Sequence, residues 1–251
     1  MLGLDLFHSR HPDVGVEVDV TRLPYSFNSD SKGAWGTKYP VSKETKEGDE
    51  PTWHESLVDY ANGSERERDG LEFAMARLGD KVGIKLDYNV QTNWQPVESQ
   101  RAMLWAARFG KQEIYIDELA KRHFEQRQSA SHRKTVLAAA AAAGLDADVL
   151  NAFLDTDELE AEVWKSYGDT VRVMGIHAIP YFSFRLPDDD EDHDRALPPL
   201  AIQGSANAET FLGVFESLWE RYTAAAAQKA KKKTTMPVEE EQQQQGAAAA
   251  T

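Results

Sequence analysis

The 251-residue chain contains no cysteine. That excludes disulfide bonds, a thiolate nucleophile, thiolate-ligated zinc and any thiol redox chemistry by its own side chains. Basic residues are outnumbered: 28 Lys and Arg against 42 Asp and Glu leave a net charge of −14. Such a balance argues against nucleic acid and against anionic membrane surfaces as partners. No apolar run approaches the roughly 20 residues needed to cross a bilayer. The opening MLGLDLF has no basic segment and is broken by Asp5, so it does not read as a signal peptide, and a cytoplasmic location is expected. No glycine-rich phosphate loop and no Gly-x-Ser-x-Gly elbow occurs, which removes the simplest nucleotide-binding and serine-hydrolase readings.

What is present reads as short strands at the two ends of a helical stretch. Residues 2–11 fit either a short strand or the end of a helix. Residues 14–20 (VGVEVDV) alternate apolar and polar positions with β-branched side chains, which predicts a strand. Residues 28–53 read as a long loop, with Trp35, Tyr39 and Trp53 pinning it to the body. Residues 54–167 are predicted helical. Leu71, Ala74, Met75, Leu78 and Val82 recur at spacings of three and four, and Gly83 follows as a helix stop. Ala102, Trp105, Ala106 and Phe109 form a second apolar face, closed by Gly110. Ile116, Leu119, Ala120 and Phe124 form a third. Ser131 is placed to cap a helix through the alanine run at 138–143, and Asp146 to cap one carrying Val149, Leu150 and Phe153. Strands return at residues 181–186 and 200–204 as an antiparallel hairpin with an acidic tip. A last helix, capped by Asn207 or Ser205, carries Phe211, Val214, Phe215, Leu218 and Tyr222. The low-complexity residues 224–251 are expected to be disordered.

The chain is organised around residues 175–184, GIHAIPYFSF. A proline at the mouth of a strand gives no N–H to a ladder, so it needs a positional reason. A cis Ile179–Pro180 bond is one such reason. His177 lies three residues before that proline, where it reads either as a ligand contact or as an incidental loop residue. His8 and His11, with Asp13 nearby, have helical spacing, but no third ligand follows, and no metal site is expected. His123 and His132 read as helix residues. The run at 188–194 lacks the glycine and terminal Glu of a calcium loop and reads as a solvated hairpin tip.

The order of these motifs resembles the DsbA-like thioredoxin-fold family, most of all its FrnE branch, relatives of 2-hydroxychromene-2-carboxylate isomerases and kappa-class glutathione transferases. Leu23-Pro24-Tyr25-Ser26-Phe27-Asn28 is similar to the family's segment after its second strand. Gly83, Ile84, Asn93, Ala102, Ala106 and Gly110 resemble its helical motif, Ile179-Pro180 falls on its cis-proline, and Ile202-Gln203-Gly204-Ser205 on its Gly-Ala-Gln region. The resemblance implies an α/β thioredoxin-like fold with a helical insertion domain. Residues 1–53 and 168–223 would make the thioredoxin-like part, 54–167 the insertion and 224–251 the tail. It implies a thiol–disulfide oxidoreductase whose substrate, a peptide, protein thiol or glutathione-like ligand, lies along Ile179, Pro180 and His177, with no cofactor.

The family's catalytic Cys-x-x-Cys, or the Ser of its glutathione-using relatives, does not carry over. The first strand, which precedes it, is also missing. Residues 2–12 resemble only the end of the helix that leads into the second strand, and a parallel crossover needs about a dozen residues or more. Three expectations follow: an oxidoreductase shortened upstream of Met1, a redox-inactive binding protein of the same fold, or a glutathione-dependent enzyme whose Ser lies upstream. With the central strand missing, the chain is expected to be marginally stable or to associate.

Overall fold

A computed structural model describes residues 2–26, 48–92, 96–176, 179–186 and 198–235. Phe27, Asn28, Trp35, Tyr39, Asn93, His177 and the acidic run at 188–194 lie outside the described residues. The elements, in order, are α1 (Leu2–Arg10), α2 (Trp53–Tyr60), α3 (Glu65–Asp80), α4 (Val97–Ala107), α5 (Gln112–Gln126), α6 (Arg133–Ala142), α7 (Ala147–Leu154), α8 (Glu160–Arg172), β1 (Tyr181–Phe184), β2 (Leu200–Gln203) and α9 (Ala208–Thr235). They fall into two units, Met1–Val18 with His177–Thr251, and Asp19–Ile176. No described helix is long and apolar enough to cross a membrane.

The first unit joins the two ends of the chain. β1 and β2 pair antiparallel, Tyr181 opposite Gln203 and Phe184 opposite Leu200. Phe182 and Phe184 lie on one face of this ribbon, edge-on to Phe211 of α9 at 5.1 and 6.1 Å, and Phe184 also meets Phe215. The fully buried Phe7 of α1 reaches Phe215 from the other side. Helix α1 can sit this close to α9 because its second residue is glycine: a Cβ on Gly3 would lie 2.5 Å from the Phe211 Cβ. Asn207 caps α9, its side chain accepting from the Thr210 N–H.

Two expectations change here. Residues 14–20 belong to no strand, and Val18 and Val20 are exposed. An alternating pattern forms a strand only where a neighbour supplies a ladder, and no described strand lies beside it. The predicted tail begins too early, since α9 continues through 224–235. Its alanines and lysines are good helix formers, and a helix already nucleated by packing extends cheaply.

The second unit is helical. Its core is Ala102, Met103, Trp105 and Ala106 of α4, Tyr115 and Leu119 of α5, Val136, Ala139, Ala140 and Ala143 around α6, and Leu150, Phe153 and Leu154 of α7. The alanine run is central because its side chains are small: α6 touches α4, α5 and α7 at once. Its cap is His132, with no capping side-chain bond, rather than Ser131, while Asp146 caps α7 as expected. On α5 the buried stripe is Gln112, Tyr115, Leu119 and His123, rotated from the apolar face read in the sequence. Its polar members each find a partner. The Gln112 amide exchanges hydrogen bonds with the Arg22 backbone, and the Tyr115 hydroxyl donates to the Ser99 carbonyl. Phe109 is more than half exposed and leans on Trp105. Helix α3 also departs from the reading. Its inward stripe is Arg68, Glu72, Ala76 and Gly79, with Glu72 bonded to His54 at 2.8 Å, and its apolar residues are exposed.

Arg101 is 3% exposed, and its guanidinium donates to the carbonyls of Leu154, Phe153, Thr156 and Glu158. These include the terminal acceptors of α7, which no helical N–H can satisfy. Replacing Arg101 by Met removes four charge-assisted bonds, although the Leu154 carbonyl keeps Arg133 and the Phe153 carbonyl keeps Thr156, and is expected to cost about 2–4 kcal/mol; Arg101→Lys recovers only part, because an ammonium lacks the planar fork. Urea denaturation of the two variants checks this.

Two histidines pin the start of α2. The Trp53 indole donates to His123 Nε2 at 2.9 Å. The Ala130 N–H points at the other ring nitrogen, Nδ1, at 3.1 Å, and the Gln128 backbone also bonds to the ring. Burial lowers the His123 pKa to about 4, opposed by the Gln128 bond and helped by the nearby His132. His132 Nε2 lies 3.2 Å from Glu50. Burial works against the Glu50 carboxylate, but the N–H groups of Gly48 and Glu50 and the His132 side chain outweigh it and hold its pKa below the usual range. In the unfolded chain His123 takes a proton below pH 6.5, whereas the folded protein does so only near 4. The contribution of His123 to stability is therefore complete above pH 6.5 and is lost as pH drops toward 4, by about 1.4 kcal/mol per unit and about 3 kcal/mol in total. The Glu50 contribution is lost in a lower window, as its carboxylate protonates. Denaturation midpoints of wild type and His123→Gln between pH 7 and 4.5 should converge as pH falls.

Candidate substrate-binding edge

The hairpin strand β1 begins directly after Pro180. The Ile179–Pro180 peptide is cis. Ile179, Pro180, Tyr181, Phe182 and Ser183 are all exposed, and His177, the third residue singled out in the sequence, lies outside the described residues.

One hydrogen bond fixes which backbone groups are free. The Gly204 N–H donates to the Pro180 carbonyl at 2.8 Å. In an antiparallel ladder, residues turn both backbone groups alternately toward and away from the partner strand. With the register set by Tyr181 opposite Gln203, Phe182 and Phe184 bond to β2. Tyr181 and Ser183 turn their N–H and C=O outward. No described strand occupies that edge. The result is a short row of alternating donors and acceptors, immediately after a proline whose own carbonyl is already satisfied. Gly204 closes the β2 end at φ +84°, a conformation that suits glycine and brings its N–H onto Pro180.

The two faces of the ribbon differ. Phe182, Phe184, Leu200 and Ile202 share one face, which the two phenylalanines pack on Phe211 of α9. Tyr181, Ser183, Ala201 and Gln203 share the other, exposed face. An extended ligand laid on the open edge would meet backbone groups first, with the Tyr181 ring and the Ser183 hydroxyl on one side. The arrangement suits holding an extended chain rather than acid–base work.

His8 and His11 are not brought to this edge. His11 packs its ring on Phe7 at 4.6 Å, with His8 near the same ring. Among the described residues no cluster of His, Asp and Glu could hold a metal ion. Sequence reasoning found the proline and the strand. It did not find the phase of the ladder, which depends on the pairing of residues 181 and 203, far apart in sequence.

The edge predicts an asymmetry between neighbouring positions. Ser183→Pro removes an outward N–H and is expected to change stability by less than about 1 kcal/mol. Phe184→Pro removes a ladder N–H and an aromatic packed on α9, and is expected to cost about 3 kcal/mol or more. Thermal melts of both variants would separate them.

A family model described as the DSBA-like thioredoxin domain matches residues 51–181. Among solved structures, the chain is similar to a probable DsbA oxidoreductase from Streptomyces coelicolor, with 17% sequence identity and a TM-score of 0.62, over 87% of this chain and 84% of that one. No curated protein matches it by sequence.

Proposed function

Because the chain belongs to the DSBA-like thioredoxin domain family, we propose that it performs the substrate-holding part of that family's work and not the thiol exchange. Its fold is thioredoxin-like, helix-rich, with a small two-stranded sheet. Disulfide exchange requires a thiolate to attack a disulfide sulfur. With no cysteine in the sequence, any thiolate in such a reaction comes from outside these 251 residues. The chain is redox-inactive as given, and its own role is binding.

The open edge of β1 carries this reading. An extended peptide adds to such an edge as another strand, gaining main-chain hydrogen bonds with little dependence on side chains. Ile179 and Pro180 would flank the ligand, and Tyr181 and Ser183 would bond to it. The ligand classes are an extended peptide, a protein carrying a thiol or disulfide, and a glutathione-like tripeptide, all of which present an extended amide backbone. The net charge of −14 favours neutral or basic ligands over acidic ones.

Two measurements test the reading. Purified protein should give no turnover of insulin disulfides with dithiothreitol beyond the uncatalysed rate, and catalysis would overturn it. A fluorescein-labelled extended peptide derived from reduced, alkylated insulin should bind the wild type, with at least tenfold weaker binding to Ser183→Pro. Equal binding by the two would place the ligand elsewhere. Competition by glutathione would narrow the ligand class to the tripeptide.

A further inference from the structure

We propose that α3 is the contact helix of a homodimer, packed antiparallel against α3 of a second copy. The exposed side of α3 has a seam in which Glu67, Leu71, Ala74, Leu78 and Lys81 follow one another at spacings of four, three, four and three. That is the heptad rhythm of two helices packed along their length. Leu71 and Leu78 are about half exposed, Ala74 is exposed, and Met75 and Val82 border the seam, 45% and 67% exposed. The helix turns its polar and small residues inward, so the apolar seam has no partner among the described residues of its own unit.

The charges at the two ends of the seam indicate what covers it. Glu67 and Lys81 are both exposed, and neither is ion-paired to another described residue. Lys81 keeps helical dihedral angles, so it continues the seam. Pairing two copies antiparallel about Ala74 sets Glu67 of each copy opposite Lys81 of the other, twice by symmetry, with Leu71, Ala74 and Leu78 between. A parallel pair would set Glu67 on Glu67 and Lys81 on Lys81. The seam is thus self-complementary in one orientation only, as an isologous two-fold contact requires. The same pairing sets Leu78 of one copy opposite Gly70 of the other. Gly70 costs a helix interior about 1 kcal/mol relative to alanine, and a Cβ there would meet nothing within 4 Å. Its absence leaves room for the facing leucine. The strip from Glu67 to Lys81 is about 21 Å long, so the interface falls at or below the roughly 1,200 Å² lower bound of stable complexes, and the dimer should dissociate on dilution.

Sedimentation equilibrium of the full chain across a concentration series tests this. A reversible monomer–dimer equilibrium is expected. Glu67→Lys and Lys81→Glu should each weaken it about tenfold, and the double variant should return it to within about twofold of wild type, as only the antiparallel pairing predicts. Ala74→Cys introduces the sole thiol of the chain and should give a covalent dimer on mild oxidation, whereas Val149→Cys should not. Leu71→Glu with Leu78→Glu should abolish association, with an unchanged far-ultraviolet circular dichroism spectrum confirming an intact fold. A monomer at every concentration, a dimer that survives the double Glu variant, or a charge swap that fails to restore association would overturn the proposal.

Discussion

The helical unit depends on one buried charge. Arg101 enters from α4 and is ion-paired to no carboxylate among the described residues. Its counterpart is a set of carbonyls at the end of α7 and in the turn beyond. A helix C-terminus carries partial negative charge and unsatisfied acceptors, so the guanidinium and the helix end each cancel the other's cost of burial. The Phe153 ring, 5.1 Å from the guanidinium carbon, completes the shell. Arg133 approaches the same place from α6, bonding to the Leu154 carbonyl, Glu98 and Asp155. Three helices and a turn therefore meet at one junction. Beside it Leu159 holds φ +65°, a left-handed conformation that costs a residue with a side chain about 1–2 kcal/mol. The neighbouring Glu158 carbonyl is fixed by Arg101, which keeps that turn in place.

The family match and the open edge fall largely on different units of the chain. The family match spans residues 51–181, which is mostly the helical unit; the open edge begins at its last residues, Ile179 to Tyr181, and runs on into the hairpin. The hairpin is held from behind by α9 and α1 through aromatic contacts, so its open edge is presented by a braced strand. Rigidity of that kind matters for strand addition, because a floppy edge would lose on ordering much of what its hydrogen bonds contribute.

Much of this was readable from the sequence where local chemistry decides. Asp146 and Asn207 cap their helices, Gly83, Gly110 and Gly144 take positive φ past helix ends, and Pro180 opens the strand. The order of those local signals also carried the family resemblance. The reading failed where a distant partner decides. Residues 14–20 have a strand's pattern but no ladder. On α5, apolarity alone selected Ile116 and Ala120, while the fold buried Gln112, Tyr115 and His123 because each finds a hydrogen-bond partner. On α3 the amphipathic pattern was real, but it faces away from its own unit. At the site, the proline was legible and the phase of the ladder was not. That phase rests on one bond from Gly204, across a connection whose residues are not described.

The pairing of α1 with α9 has a consequence for how the protein is made. Arg10 bonds to Glu216, 206 positions later, and the Gly3 backbone lies against Phe211. During synthesis α1 leaves the ribosome about 200 residues before α9, its mate. The intervening helices make mostly contacts between near neighbours in sequence, and these form quickly. The helical unit can thus mature while α1 waits with Phe7 uncovered. The interval is on the order of ten seconds or more at ordinary elongation rates, and over it that short apolar segment is open to a chaperone or to a neighbouring nascent chain.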